Sequence, residues 1–445
     1  MAENKKKRTI IKAGVSKDII TPPIGTPLAG YAFEKSPSIG IHDQLWVRVL
    51  ILENNTNKVA LAMSDVIGFD SYLIEKVNSY TRKLIDIPED NIVLGATHTH
   101  AGPVGFFGFK EYDSIISHVI GPYVGFKPDE CLIDITARKI AGAFTHALRN
   151  MNEVTVGTLV GTIDEIGKNR RNPKDVNDPD DTVTLFEGKN GPLCILYSYA
   201  CHPTVLHQDN RYISADFPGF SNTQLEKVTS ALPLYMTGAA GDISTRYTRR
   251  ESSFDEVHRF GSILAGETLR ILSNIRPEEV QELDIMSRKV QLPVKKLPPK
   301  EKILENLNTV KNNLAKLSKQ NASPAEMKSA ETYIEGAKIT LDLLTKSRIT
   351  HFDDIEIELK LLKIGDTAVL FVPGEMFAQI GKAIKEYVRS RSFQLHVCCY
   401  ANGYIGYIPT KVAFKDHDYE SWAAIVGENT ESVLIETAKR LIDKL

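Results

Sequence analysis

Cysteine is scarce. Five are present (Cys131, Cys194, Cys201, Cys398 and Cys399), an odd number with no C-x-x-C pair. A disulfide framework is therefore not expected, and a reducing, cytoplasmic setting is favoured. The adjacent Cys398 and Cys399 lie in an apolar run and read as buried thiols. No stretch approaches the roughly 20 apolar residues of a membrane span. The opening "MAENKKKRTIIKAGV" has a basic cluster but no apolar core of a secretory signal. Charge of one sign is also missing. A formal net charge of -2 gives no electrostatic reason to expect a nucleic-acid partner. There is no internal repeat and no low-complexity segment. What is present is 42% apolar residue in a chain of 445, enough for one large domain or two ordinary ones.

Apolar, β-branched runs alternate with helical patterns, which predicts an α/β fold. "KVALAMSDVIGF" (58–69) reads as a strand, "SYLIEKVNSYTRKLI" (71–85) as an amphipathic helix and "NIVLGATHTH" (91–100) as a strand, together a right-handed βαβ unit. A helix over 131–151 and strands over 192–202 and 232–242 follow, then a helix near 254–274. Strands over 366–375 and 393–403 flank one more helix. The segment 298–347 differs, because two runs carry apolar residues at helical spacing with charged opposite faces. Ser323, Pro324 and Glu326 form a capping-box signature between them. This predicts an inserted helical hairpin, read as a solvated decoration in preference to a lid or partner surface.

Five predicted strands end in polar residues of catalytic type: "THTH", "YACHP", "GAAGDIS", "VPGE" and "YANGYIGY". Ligands of open α/β folds bind beyond the carboxyl ends of strands. The endings supply His98, His100, His202, Ser244, Glu375, Tyr404 and Tyr407. On an extended strand His98 and His100 would share a face. Imidazole nitrogen and carboxylate oxygen suit Zn²⁺, which brings the pKa of bound water toward neutrality. The candidates are His98 or His100, with His202 and Glu375; spacing does not choose between the first two, nor exclude a metal-free site. His146 and His258 fall within predicted helices and His396 within an apolar strand, so these read as structural.

In this order the motifs resemble the catalytic domain of the neutral (non-lysosomal) ceramidase family. The likeness runs from "AGVSKDIITPPIGTPLAGYA" (13–32) through "GIHDQLWVRVLIL" (40–52) and "ATHTHAGP" to "YANGYIGY" and spares the helical insert. The resemblance implies a single large catalytic domain over 1–445, with a mixed sheet and flanking helices, and the hairpin 298–347 inserted within it. It implies a zinc amidase whose metal ligands are His98, His202, Glu375 and Tyr407. His100, Ser244, Arg170 and Tyr419 would be its catalytic or substrate-contacting residues, with Arg171 competing with Arg170.

Thr245 stands where the family has proline after the G-D-x-S serine, and "RNPKD" replaces its usual S-P after N-R. Neither a C-terminal β-sandwich nor a secretory signal is apparent. The expected reaction is hydrolysis of a linear N-acyl amide, on a small-molecule substrate other than extracellular ceramide. The "PVGFFGFKEY" loop (103–112) is expected to line a modest acyl pocket. An esterase or lactonase using the same zinc site, and a non-catalytic interaction protein, are the alternatives. A homo-oligomer is left open.

Overall fold

The apolar runs pair into two main sheets whose strand ends meet. The computed structural model describes residues 10–31, 36–108, 115–125, 127–346, 354–416 and 418–445. The larger sheet runs Leu232–Thr237, Gly191–Tyr199, Asp180–Gly188, Asn152–Thr162, Lys12–Ile19, Trp46–Glu53, Lys58–Ser64 and Ile92–Ala96. A ninth short strand, Glu278–Glu279, pairs with Asn152–Thr162. The smaller sheet runs Leu283–Leu292, Ile355–Ile364, Thr367–Phe371 and Gln394–Cys398. Most pairings are antiparallel. Within these two sheets three are parallel: Lys58–Ser64 with Ile92–Ala96, Gly191–Tyr199 with Leu232–Thr237, and Thr367–Phe371 with Gln394–Cys398.

The predicted βαβ unit is present, its helix Ser71–Thr81 capped by Asp70, whose carboxylate accepts from Leu73 N–H. The strand after it is shorter than its apolar pattern suggests. It stops at Ala96 because His98 adopts φ 65°, a left-handed conformation that no strand contains. The H-x-H motif is therefore a turn, not an extended strand with both rings on one face.

The core between the sheets holds Leu61, Val93, Leu196, Leu234, Val369 and Phe371, all fully buried or nearly so. Each such side chain contributes about 1.5–3 kcal/mol of burial free energy. At the strand ends the two sheets are stitched directly. Leu94 N–H donates to Asn402 Oδ1 and Asn402 N–H to the Leu94 carbonyl, both at 2.8 Å. Cys399 N–H donates to the Thr237 carbonyl (2.9 Å) and Thr237 Oγ1 to the Thr97 carbonyl (2.8 Å). His396 is structural, bonded at its two ring nitrogens to Ser198 Oγ and Thr184 Oγ1 and held down to about 3 by burial. It is neutral at physiological pH.

The segment 298–347 folds as the helices Lys300–Lys319 and Pro324–Lys346. The capping box forms: Glu326 N–H donates to Ser323 Oγ (3.3 Å), and Ser323 N–H donates to the Glu326 carboxylate (2.9 Å). The hairpin is not a solvated decoration. Its second helix packs on the helix Tyr419–Ala423: Thr340 Oγ1 donates to the Trp422 carbonyl at 2.9 Å. A Cβ at Gly336 would stand 3.0 Å from the Trp422 Cβ, so a larger residue there would push the two helices apart by a few tenths of an ångström. Among the described residues, no helix is long and apolar enough to cross a membrane.

Candidate metal centre and active site

His98 and His202 reach the centre from different strands and are oriented the same way. His98 Nδ1 lies 2.7 Å from the Ile67 carbonyl, and His202 Nδ1 lies 2.5 Å from the Ala240 carbonyl. A carbonyl only accepts, so each Nδ1 carries the proton and each Nε2 presents a bare lone pair. Burial is the main force keeping both rings neutral; it holds His98 down to about 3, and Arg170 lowers His202 further. His98 also stacks on Tyr400 at 3.9 Å, which fixes its plane.

Glu375 completes the cluster. Its Oε2 lies 2.9 Å from His202 Nε2 and 3.6 Å from His98 Nε2, while Oε1 accepts the Tyr404 hydroxyl. Burial pushes its carboxyl upward, an effect opposed by His98, Tyr404 and Arg170. His100 Nε2 is 3.3 Å from His98 Nε2, and one nitrogen from each of His98, His100 and His202 lies within 4.8 Å of the others. Two imidazole lone pairs and a carboxyl oxygen thus converge on one point. A cation reconciles these acceptors, so the donor set fits a metal ion.

The remaining predicted site residues gather around this cluster. Tyr407 is in register with Glu375 on a short parallel pair, its ring 6.5 Å from that of His202 and 5.6 Å from that of Tyr419. Arg170 is buried, with Nε donating to Glu420 Oε1 (2.6 Å) and Nη2 to the Gly241 carbonyl (2.9 Å). Its guanidinium lies 5.3 Å from the Tyr407 ring. Arg171 turns away to pair with Asp418 and lies against Phe377, so the structure separates the two arginines. Ser244 bridges to His202 through the backbone, and its Oγ accepts from Arg246 N–H at 3.3 Å. The Tyr419 hydroxyl bonds to that of Tyr123 at 2.8 Å.

Two contiguous cavities open over the cluster. One, a narrow cleft, is lined by His98, His100 and Glu375 together with Ile67, Val119, Ile120 and Ala423. The other is lined by Arg170, Ser244, Tyr419 and the cations Arg246, Arg249 and Lys328. His100, Tyr123, Tyr407 and Gly30 border both.

Residues 12–236 match the family model described as neutral/alkaline non-lysosomal ceramidase, N-terminal. The chain belongs to this family. The neutral ceramidase of Drosophila melanogaster is 27% identical over 236 residues, covering 48% of this chain and 32% of that protein, so the chain spans about a third of the fly relative. The neutral ceramidase of Pseudomonas aeruginosa is 22% identical over 462 residues, covering 91% of this chain and 67% of the relative. That of Mycobacterium tuberculosis is 22% identical, covering 94% and 74%. The crystal structure of the Pseudomonas aeruginosa neutral ceramidase superposes with a TM-score of 0.74 at 20% identity over 98% of this chain and 75% of that one, a likeness of fold.

This ceramidase-family chain differs from its sequence-based reading in where the apolar lining comes from. Of the loop 103–112, residues 109–112 lie outside the described residues. Phe106 and Phe107 are buried in the core, and Phe107 packs edge-on against Tyr404 behind the centre. Among the described residues the apolar wall comes from Ile67, Ala423 and, above all, Val119 and Ile120 of the helix Ile115–Val124, which is buried almost all round. That all-round apolarity is the signal by which the segment could have been found. Glu420, Tyr400 and the three cations were also missed.

Proposed function

We propose that the chain is a zinc-dependent hydrolase that cleaves a linear N-acyl amide, with His98, His202, Glu375 and Tyr407 as the ligand set. The observation that carries this reading is the convergence of the two unprotonated Nε2 atoms on Glu375 Oε2 at the floor of a half-apolar pocket. Zinc bound there supplies a Lewis acid and makes hydroxide available near neutral pH.

The chain's own residues do the rest. The acyl chain lies along Ile67, Val119, Ile120 and Ala423, which excludes water from one side of the scissile bond. That places the amide at the junction of the two cavities, beside His100 and Tyr407. Arg170 is fixed by Glu420 and the Gly241 carbonyl and needs no reorganisation to stabilise charge developing on the carbonyl oxygen. The Tyr419–Tyr123 hydroxyl pair adds donors on the same side. Ser244 Oγ accepts the Arg246 N–H, which leaves its own proton to donate to the substrate. His100, half-buried beside His98, is placed to move a proton to the leaving amine.

The reading is tested by metal analysis of the purified protein, followed by a hydrolysis screen over N-acyl amines of graded chain length and the matched esters. Zinc near one ion per chain with amide turnover is expected. Protein free of transition metal and inert toward every amide would overturn the reading, and a preference for esters would reassign the bond cleaved.

A further inference from the structure

The polar cavity beside the metal centre carries more positive charge than its walls neutralise. Arg170 is paired with Glu420. Arg246 and Arg249 are not ion-paired among the described residues: they donate to Ser329 Oγ (3.0 Å), to the Arg170 carbonyl (3.4 Å) and to the Thr204 carbonyl (2.7 Å), all neutral oxygens. Lys328 comes from the second hairpin helix, donates to Gln208 Oε1 at 3.1 Å, lies 3.8 Å from the half-exposed Glu331 and feels the charge of Glu335. Among the described residues, Glu335 is the single acid on the cavity wall. The neighbouring His207 registers this field, held down to about 3 by burial first and then by Lys328, Arg249 and Arg246.

We propose that the amine half of the substrate carries an anionic group, a carboxylate or a phosphate, bound by Arg246, Arg249 and Lys328. This rests on the amide-hydrolase reading above and deepens it: the acyl chain lies on the apolar side of His100 and Tyr407, and the anion on the cationic side. Guanidinium forks match carboxylate and phosphate oxygens in pairs, so two arginines and a lysine around one cavity hold such a group well. A neutral amine would leave the same three cations partly desolvated and short of counter-charge. The hairpin, through Lys328, thereby becomes part of substrate selection.

The test uses three probes of one chain length on the metal-loaded protein: N-dodecanoylglycine, N-dodecanoyl-O-phosphoethanolamine and N-dodecanoylethanolamine. Binding is followed by calorimetry and turnover as kcat/KM. At least one anionic probe should bind about tenfold or more tightly than the neutral one, an advantage that shrinks with salt. Arg249→Gln and Lys328→Gln, each checked for an unaltered melting temperature, should each reduce that advantage several-fold. The better anionic probe identifies carboxylate or phosphate. Equal affinity for all three probes, or an advantage that survives both substitutions, overturns the proposal. Preferential anion binding without cleavage of any amide would sink the hydrolase reading and leave the anion site standing. Amide cleavage with no charge preference would do the reverse.

Discussion

His202 and Glu375, 173 residues apart in the chain, meet with Nε2 2.9 Å from Oε2, although the histidine's proton is committed to the Ala240 carbonyl on its other nitrogen. Each sits just beyond a strand that forms a parallel pair, and the backbone of Glu375 is held by the Gly406 carbonyl at 2.8 Å. A cation between them would satisfy both acceptors in the interior.

His202→Ala and Glu375→Ala should each remove most of the bound metal, from about one ion per chain to about a tenth of that or less. The helical and sheet signals in circular dichroism should persist, because neither side chain carries a secondary-structure bond. Undiminished metal in either variant, measured by plasma mass spectrometry, removes that residue from the ligand set.

His98 and His100 should separate by function. His98→Ala removes a ring oriented by the Ile67 carbonyl and stacked on Tyr400, and should lose metal. His100→Ala should keep metal and lose roughly 10²-fold or more in kcat, the usual scale for a displaced general acid–base. Equal metal loss in both would make His100 a ligand, which its nitrogen 3.3 Å from that of His98 leaves geometrically open.

The strands with β-branched runs and the capping box at Ser323 were legible because local pattern decides them. So was the gathering of His98, His202, Glu375 and Ser244, because polar endings on apolar strands mark the open end of an α/β sheet. The left-handed turn at His98 was not legible. Its φ of 65° is imposed by Thr97 and His98 donating their N–H groups to the Ser64 and Val66 carbonyls, contacts that no local pattern encodes. Which of Arg170 and Arg171 lines the cavity was likewise tertiary, set by Glu420 and Asp418 some 250 positions on. The hairpin's amphipathic helices read as solvated because half of each is; the packed half faces Trp422, which sequence spacing does not reveal.

Asp181 predicts a pH effect on stability. Burial pushes its carboxyl from an ordinary 3.8 to about 8, opposed by the Thr268 hydroxyl, 2.9 Å away, and by the charge of Lys385. The folded-state pKa is raised, so the folded state prefers the protonated acid. Its contribution is full below about pH 4 and is lost as pH rises toward 8. Across pH 5 to 8 the unfolding free energy of the native protein should fall relative to Asp181→Asn, by at most about 1.4 kcal/mol for each pH unit crossed. Urea titrations of both proteins at several pH values test this, and parallel pH curves would refute it.

Gly30 should be a backbone determinant of His100. It has φ +95°, and a Cβ there would stand 2.3 Å from His100 Nδ1 and 2.4 Å from Cγ. Its N–H is tied to the Tyr123 carbonyl at 2.9 Å, so the backbone cannot retreat without breaking the wall shared by both cavities. Gly30→Ala must therefore move the imidazole. Gly25 supplies the control, because its φ of +98° gives the same conformational strain with nothing within 4 Å of an added Cβ. Both substitutions should cost about 1–3 kcal/mol of stability through the left-handed backbone alone. Only Gly30→Ala should lower kcat toward that of His100→Ala, and it should do so with metal content preserved. If the two glycine variants lose activity equally, the effect is backbone strain and the placement of His100 by Gly30 is wrong.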